Sequence, residues 1–201
     1  MTLHVPNTQS RAPSNTPSAA ALFFKRWIAN PLSMGSVTPS SATLRRHIAR
    51  NVICADDEIV VEFGGGTGAI TQGLLENGIP ASKLYTFEID GELANYLRAH
   101  FPTVNIVEGD AREADALIPA QHVGKVGTVV VGIPMVMLPL DIQRGIVDAI
   151  FRIMPAGRRF LLYTYCINSP LPTEKLGLKA ERLVWTPLNI PPASVFAYSK
   201  A

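Results

Sequence analysis

Ile59-Val60-Val61-Glu62-Phe63-Gly64-Gly65-Gly66-Thr67-Gly68 decides the fold. Its first half is a short apolar run of buried-strand type. Its second half is a glycine turn that leads into a helical stretch from Gly68 to Asn77. A strand that ends in a glycine turn at a helix N-terminus lets the backbone approach a ligand closely. Working outward, further buried-strand runs lie at Leu84 to Ile89, Val104 to Val107, Val129 to Val131 and Phe160 to Tyr165. Helical stretches fall between them at Glu92 to His100, Glu113 to Leu117 and Asp141 to Met154. Strands that alternate with helices predict an α/β domain with a parallel sheet covered on both faces. After Asn168 the alternation stops, and Arg182 to Thr186 with Ser194 to Ser199 reads as a closing hairpin.

Upstream of this pattern, Met1 to Pro17 is rich in Ser, Thr, Asn and Pro and reads as a disordered tail, residues 1–17. Ser18 to Asn30 places Ala20, Ala21, Phe23, Phe24, Trp27 and Ile28 on one helical face, with Lys25 and Arg26 opposite. That pattern suits an amphipathic helix docked on the domain and an interfacial membrane helix equally. A second helix is expected from about Pro39 to Ile53, with Leu44, Ile48 and Val52 in register and Arg46 and Arg50 on another face. The expected division is therefore a tail, N-terminal helices over 18–55 that form a membrane or substrate lid, and the α/β domain over 56–201.

Charge is uneven. Residues 1–55 hold six Lys or Arg and no acid, whereas the other 146 residues hold 12 Lys or Arg against 16 Asp or Glu. A basic arm on an acidic body suggests an anionic partner, a nucleic acid or an anionic membrane surface. At 47% apolar and 17% charged residues, wholesale disorder is excluded. The longest charge-free core-like run, Thr128 to Leu140, is thirteen residues and is broken by Pro134 and Pro139. A membrane span needs about 20 apolar residues, so none is expected. No signal-peptide pattern is visible, which points to a cytoplasmic protein. Cys54 and Cys166 read as buried free thiols, and the four scattered histidines imply no metal site.

Glu88 ends the second strand about twenty positions after the glycine turn, where a carboxylate can accept from both hydroxyls of a ribose. Together these features imply a nucleoside-containing cofactor. Gly64, Gly66 and Ala69 also satisfy the dinucleotide fingerprint, so an NAD-dependent dehydrogenase competes on that motif alone. Three features separate the two. Glu62 precedes the glycines in the spacing E-x-G-x-G-x-G, the third strand ends in Gly109-Asp110-Ala111, and the fourth ends in Gly132-Ile133-Pro134. With these, Ile59 to Tyr165 resembles the class I S-adenosylmethionine-dependent methyltransferases. The resemblance implies a Rossmann-like, seven-stranded, mostly parallel sheet with helices on both faces and an antiparallel C-terminal hairpin. It implies S-adenosylmethionine as cofactor and S-adenosylhomocysteine as product. It places Glu62 near the methionine amino group, Gly64, Gly66, Thr67 and Gly68 along the cofactor, and Glu88 on the ribose. Asp110 falls on the adenine amine, and Ile89 and Ala111 sandwich the ring. Asp110 also reads as a cap for the helix that follows.

Gly132-Ile133-Pro134-Met135 stands where adenine-methylating enzymes, such as the rRNA adenine dimethylases, carry Asn or Asp followed by Pro-Pro or Leu-Pro and an aromatic residue. Gly132 lacks the side chain that would hold a base amine, and Met135 lacks the ring on which a flipped base would stack. No nucleic-acid partner is therefore expected. Phe24-Lys25-Arg26-Trp27-Ile28 through Pro31 and Gly35 to Ser41 resemble the N-terminal region of the bacterial phospholipid N-methyltransferases. Gly132-Ile133-Pro134, Tyr163-Thr164-Tyr165 and Ser169 to Pro172 extend that resemblance. It implies an enzyme that methylates phosphatidylethanolamine stepwise to phosphatidylcholine at the cytoplasmic membrane face, with residues 18–30 on the anionic surface. Ornithine-lipid methylation and an rRNA-type activity are the alternatives, and a non-catalytic membrane module with a nucleoside site is a third. No His/Asp pair lies at the strand ends to act as a strong base. Tyr165, Tyr163 and the backbone at Gly132 are the candidates to orient the amine while water takes its proton.

Overall fold

The computed structural model describes residues 42–166, 168–187 and 192–201. The expected tail and the aromatic helix at 18–30 lie outside the described residues. The described chain opens with α1 (Ala42–Arg50) and β1 (Ile59–Phe63), followed by α2 (Ala69–Glu76), β2 (Leu84–Glu88) and α3 (Gly91–His100). It continues through β3 (Asn105–Glu108), α4 (Ala114–Leu117), β4 (Val126–Val131), α5 (Leu140–Ile153) and β5 (Phe160–Thr164), and closes with α6 (Thr173–Leu176), β6 (Leu178–Thr186) and β7 (Ala193–Lys200).

The seven strands form one sheet in the order β3-β2-β1-β4-β5-β7-β6. The first five are parallel, and β7 runs antiparallel between β5 and β6, so the expected hairpin completes the sheet. The strand order reverses between β1 and β4, where an open α/β sheet leaves a crevice at its carboxyl edge.

Alternation along the buried strands sorts side chains into two cores. On the first face Val61, Phe63, Phe87, Val131 and Leu162 pack with Ile146 and Ile150 of α5 and Ala114 of α4. On the second face Val60, Leu84, Val130 and Leu161 pack with Ile70 and Leu74 of α2. Leu44 and Ile48 of α1, 0% and 1% exposed, belong to this second core. The part of the expected lid that is described is thus built into the domain. α1 ends at Arg50 rather than Ile53, and Ile53 is instead pinned to β4 through its N–H and C=O on the Thr128 hydroxyl at 2.8 and 3.0 Å. Arg46 and Arg50 are exposed as expected.

Both cysteines are free, but neither is buried: Cys54 is half-buried and Cys166 is exposed. Cys166 lies just beyond β5, where the chain has left the sheet. The apolar run that precedes it therefore says nothing about its own burial. No helix among the described residues is long and apolar enough to cross a membrane.

Candidate functional site

Past their last ladder residues, the parallel strands remain stitched together. Gly64 and Gly65 donate their N–H groups to Phe87 O at 2.9 and 3.0 Å. Gly109 N donates to Glu88 O at 3.0 Å and Gly132 N to Phe63 O at 2.8 Å. Four loops therefore leave the carboxyl edge at one level, around the crevice between β1 and β4.

The glycine turn is shaped by two positions above all. Gly68 has φ +81°, and a Cβ there would lie 2.2 Å from the Phe101 ring, so the turn closes tightly on the end of α3. Gly66, φ +54°, has nothing within 4 Å of its Cβ position and faces open space. One glycine thus serves packing, and the other leaves room for a ligand to reach the backbone.

Glu88 is 1% exposed and holds this turn from the end of β2. Its Oε2 accepts from Gly66 N at 2.8 Å and its Oε1 from Asp90 N at 3.0 Å. Burial raises its pKa, while the N–H groups of Asp90, Gly66 and Ile89 act to lower it. Each oxygen bound to one N–H keeps acceptor capacity for a ligand hydroxyl.

Beside Glu88 opens a cleft lined on its polar side by Glu88, Asp110 and Arg112. Its apolar side is Ile89, Ala111, Ile133, Leu138, Ile142 and Ile146. Such a mostly apolar slot with few polar groups suits a flat heteroaromatic ring. Of the residues the sequence singles out, Gly64, Glu88, Ile89, Asp110 and Ala111 line this cleft together. Gly66 lies in the loop beside it, and Thr67 is exposed.

Asp110 combines a capping role with a place on the cleft wall. It caps the short turn Ala111–Glu113 by accepting from Arg112 N at 2.9 Å, and it faces the cleft. Partial burial pushes its carboxyl up, but the Arg112 side chain and backbone N–H outweigh that and hold it below the ordinary range.

Glu62 lies elsewhere. It is 1% exposed and sits on the second face beneath the turn, where its Oε2 accepts from Thr71 Oγ1 at 2.6 Å and Thr86 Oγ1 at 3.1 Å. Thr86 is its cross-strand neighbour on β2, and Thr71 comes from α2. Burial drives its pKa up to about 7, against the two hydroxyls that favour the charged form.

The candidates for handling the acceptor are not on the cleft wall. At Gly132 the neighbouring backbone leaves no room for a side chain. A Cβ there would stand 2.8 Å from Gly64 O and 3.3 Å from Phe63 O, so the space belongs to the neighbouring backbone. The Tyr163 hydroxyl comes within 3.3 Å of the same point, which brings these two candidates together. Tyr163 and Tyr165 are half-buried and pack against the second-face core, the same side as Glu62. Met135, 1% exposed, is part of the first-face core and is withdrawn from any stacking role.

Sequence reading missed Arg112, Leu138, Ile142 and Ile146 as cleft residues. The four-residue spacing of the three apolar ones was the available signal, because it marks one face of an approaching helix.

No family model matches the chain. The ornithine lipid N-methyltransferase of Singulisphaera acidiphila is 26% identical over 181 residues, 87% of this chain and 93% of that protein. Ribosomal RNA small subunit methyltransferase A of Prosthecochloris aestuarii is 36% identical over 70 residues, but these cover only 35% of this chain and 26% of that one. Among solved structures, a TehB-like SAM-dependent methyltransferase from Corynebacterium glutamicum superposes with TM-score 0.56 at 16% identity, covering 92% of this chain and all of that one. The glycopeptide N-methyltransferase MtfA, solved with S-adenosylmethionine, gives TM-score 0.60 at 14% identity over 83% of this chain and 96% of its own. With its seven-stranded, mostly parallel sheet closed by antiparallel strands, and its likeness to these solved structures, the chain has the Rossmann-like methyltransferase fold.

Proposed function

We propose that the chain is an S-adenosylmethionine-dependent N-methyltransferase whose acceptor is the primary amine of a membrane lipid headgroup. The observation that carries this reading is the match to an ornithine lipid N-methyltransferase along nearly the whole of both chains. It makes an ornithine lipid the first acceptor to test. Phosphatidylethanolamine, which the resemblance of the N-terminal region and of the turn at Gly132 favours, is the second.

The residues present fit the cofactor. Gly66 leaves its Cβ position open to a ligand, Glu88 offers a buried carboxylate for two hydroxyls, and the Ile89/Ala111 cleft beside Asp110 suits adenine. When bound, S-adenosylmethionine supplies an electrophilic sulfonium methyl, which passes to the amine nitrogen as S-adenosylhomocysteine is released. The chain's own task is to hold the amine neutral and aligned, and effective molarity from such alignment is worth about 7 to 11 kcal/mol. Tyr163, beside the end of β4, and Tyr165, on the same face, orient the nitrogen while its proton leaves to water.

The rRNA reading is weaker. Met135 is buried, Gly132 carries no amide, and the rRNA-methyltransferase relative matches a third of the chain.

The basic, acid-free residues 1–55 support peripheral attachment of a cytoplasmic protein to an anionic bilayer, with 18–30 as the contact. Each Lys or Arg near such a surface contributes about 1 kcal/mol, so attachment weakens with salt. Deleting residues 1–30 abolishes pelleting with anionic liposomes, and pelleting equal to that of the full chain refutes the attachment.

The function is tested by offering radiolabelled cofactor with ornithine-lipid liposomes, phosphatidylethanolamine liposomes and ribosomal RNA in parallel. Label in either lipid supports the reading and names the headgroup. Label in RNA alone overturns it.

A further inference from the structure

We infer that Arg112 is a positioning residue that sets the Asp110 carboxylate for the adenine edge and so fixes which base the cleft accepts. The inference rests on the cofactor reading above. It starts from a fork-to-fork pair. Arg112 Nε lies 3.0 Å from both Asp110 oxygens, Arg112 Nη2 lies 2.6 Å from Oδ2, and Arg112 N lies 2.9 Å from Oδ1. A carboxylate gripped along one edge by a planar guanidinium keeps one orientation, and its free lone pairs point away from that edge. Both residues line the cleft, so the orientation bears directly on the ligand.

Arg112 is itself held in two further places. Its stem runs over Gly145 of α5, where a Cβ would come within 3.1 Å of Cδ. Its carbonyl accepts from Arg152 Nη2 at 2.8 Å, and the same nitrogen pairs with Asp115 at 2.9 Å. Gly145 thus leaves the channel along which the guanidinium reaches Asp110. The pair is partly buried, with the Arg112 and Asp110 side chains 35% and 22% exposed, and its two-pronged geometry fixes the orientation of the carboxylate.

A carboxylate fixed and kept ionised at this place accepts from the exocyclic amine of adenine. It repels hypoxanthine, which presents a carbonyl oxygen at the same position. Arg112 therefore bears on base identity as well as affinity.

The test is calorimetric titration of the full chain with S-adenosylhomocysteine and with S-inosylhomocysteine, which differs from it by amine to carbonyl. Wild type binds the adenine compound and discriminates strongly. Arg112→Ala binds it at least tenfold more weakly and loses most of the discrimination, whereas Arg112→Lys, which keeps the charge but not the fork, recovers only part of either. Gly145→Leu leaves both residues of the pair unchanged but crowds the Arg112 stem out of its channel and gives the same loss, so the inference stays testable if Arg112→Ala fails to fold. Wild-type affinity and discrimination retained in Arg112→Ala or Gly145→Leu overturns the inference alone. Failure of the wild type to bind S-adenosylhomocysteine overturns the cofactor reading and the inference with it.

Discussion

Replacing Glu62 by Gln changes how stability depends on pH, by an amount the structure specifies. The carboxyl is sealed beneath the glycine turn and titrates at about 7 rather than 4.5. Below pH 4.5 it is protonated in both the folded and unfolded chains. Between 4.5 and about 7 the unfolded chain loses the proton while the folded chain keeps it, so folding stability falls as pH rises through that window. Above about 7 both states are ionised, and the full penalty of roughly 3 kcal/mol is in place. Gln has nearly the same shape, and its carbonyl can accept from Thr71 and Thr86 as Glu62 does, but it never ionises. The variant therefore gains on the wild type steadily from pH 4.5 and is about 3 kcal/mol more stable at pH 8, or about 6 to 12 °C in Tm for a domain of this size. Glu88 is the other acid that acts on Glu62, and like every remaining titratable group it is present in both proteins, so its own contribution largely cancels in the difference. Urea denaturation at pH 5, 6, 7 and 8 measures the effect. A difference between the two proteins that does not change with pH would refute the assignment of a neutral, buried Glu62.

Three other outcomes are expected. Glu88→Ala weakens S-adenosylmethionine binding by about 2 to 4 kcal/mol, since two charge-assisted hydrogen bonds are lost and only partly replaced by water; unchanged affinity in calorimetry, or tight binding of NAD, counts against the site. Gly68→Ala destabilises the free protein more than Gly66→Ala, because both add a left-handed penalty of about 1 to 2 kcal/mol but only the former drives a methyl into Phe101. Gly66→Ala in turn impairs cofactor binding more than its stability loss explains; equal melting shifts for the two variants contradict this division of roles. Tyr165→Phe lowers turnover while leaving cofactor affinity nearly unchanged, and a matching loss of affinity would move Tyr165 from the acceptor to the cofactor.

The features legible in the sequence are those written into short stretches of chain. Ile59 to Phe63, Leu84 to Glu88 and Phe160 to Thr164 announce themselves as strands because β-branched and aromatic runs of that length suit a sheet buried on both faces. Gly64, Gly66 and Gly68 announce the turn because all three take positive φ, a local property of the backbone. Glu88 and Asp110 were recognisable because a carboxylate after each of two neighbouring strands must arrive at one edge of a parallel sheet. What the sequence could not contain are distances between elements far apart along the chain. Glu62 sits within the same motif as the glycines, yet the period of two in β1 turns it to the second face, and only the packing of α2 and β2 shows that it is sealed against Thr71 and Thr86. The sequence shows a glycine at 132, but only the approach of the β1 end shows why: Gly64 O stands where a side chain would be. Arg112 carried no signal, since its role comes from the passage of α5 at Gly145, thirty-three residues later, alongside a turn at the end of β3. Local pattern dictates which backbone conformations and faces are possible, and the close packing of remote segments decides which side chains meet.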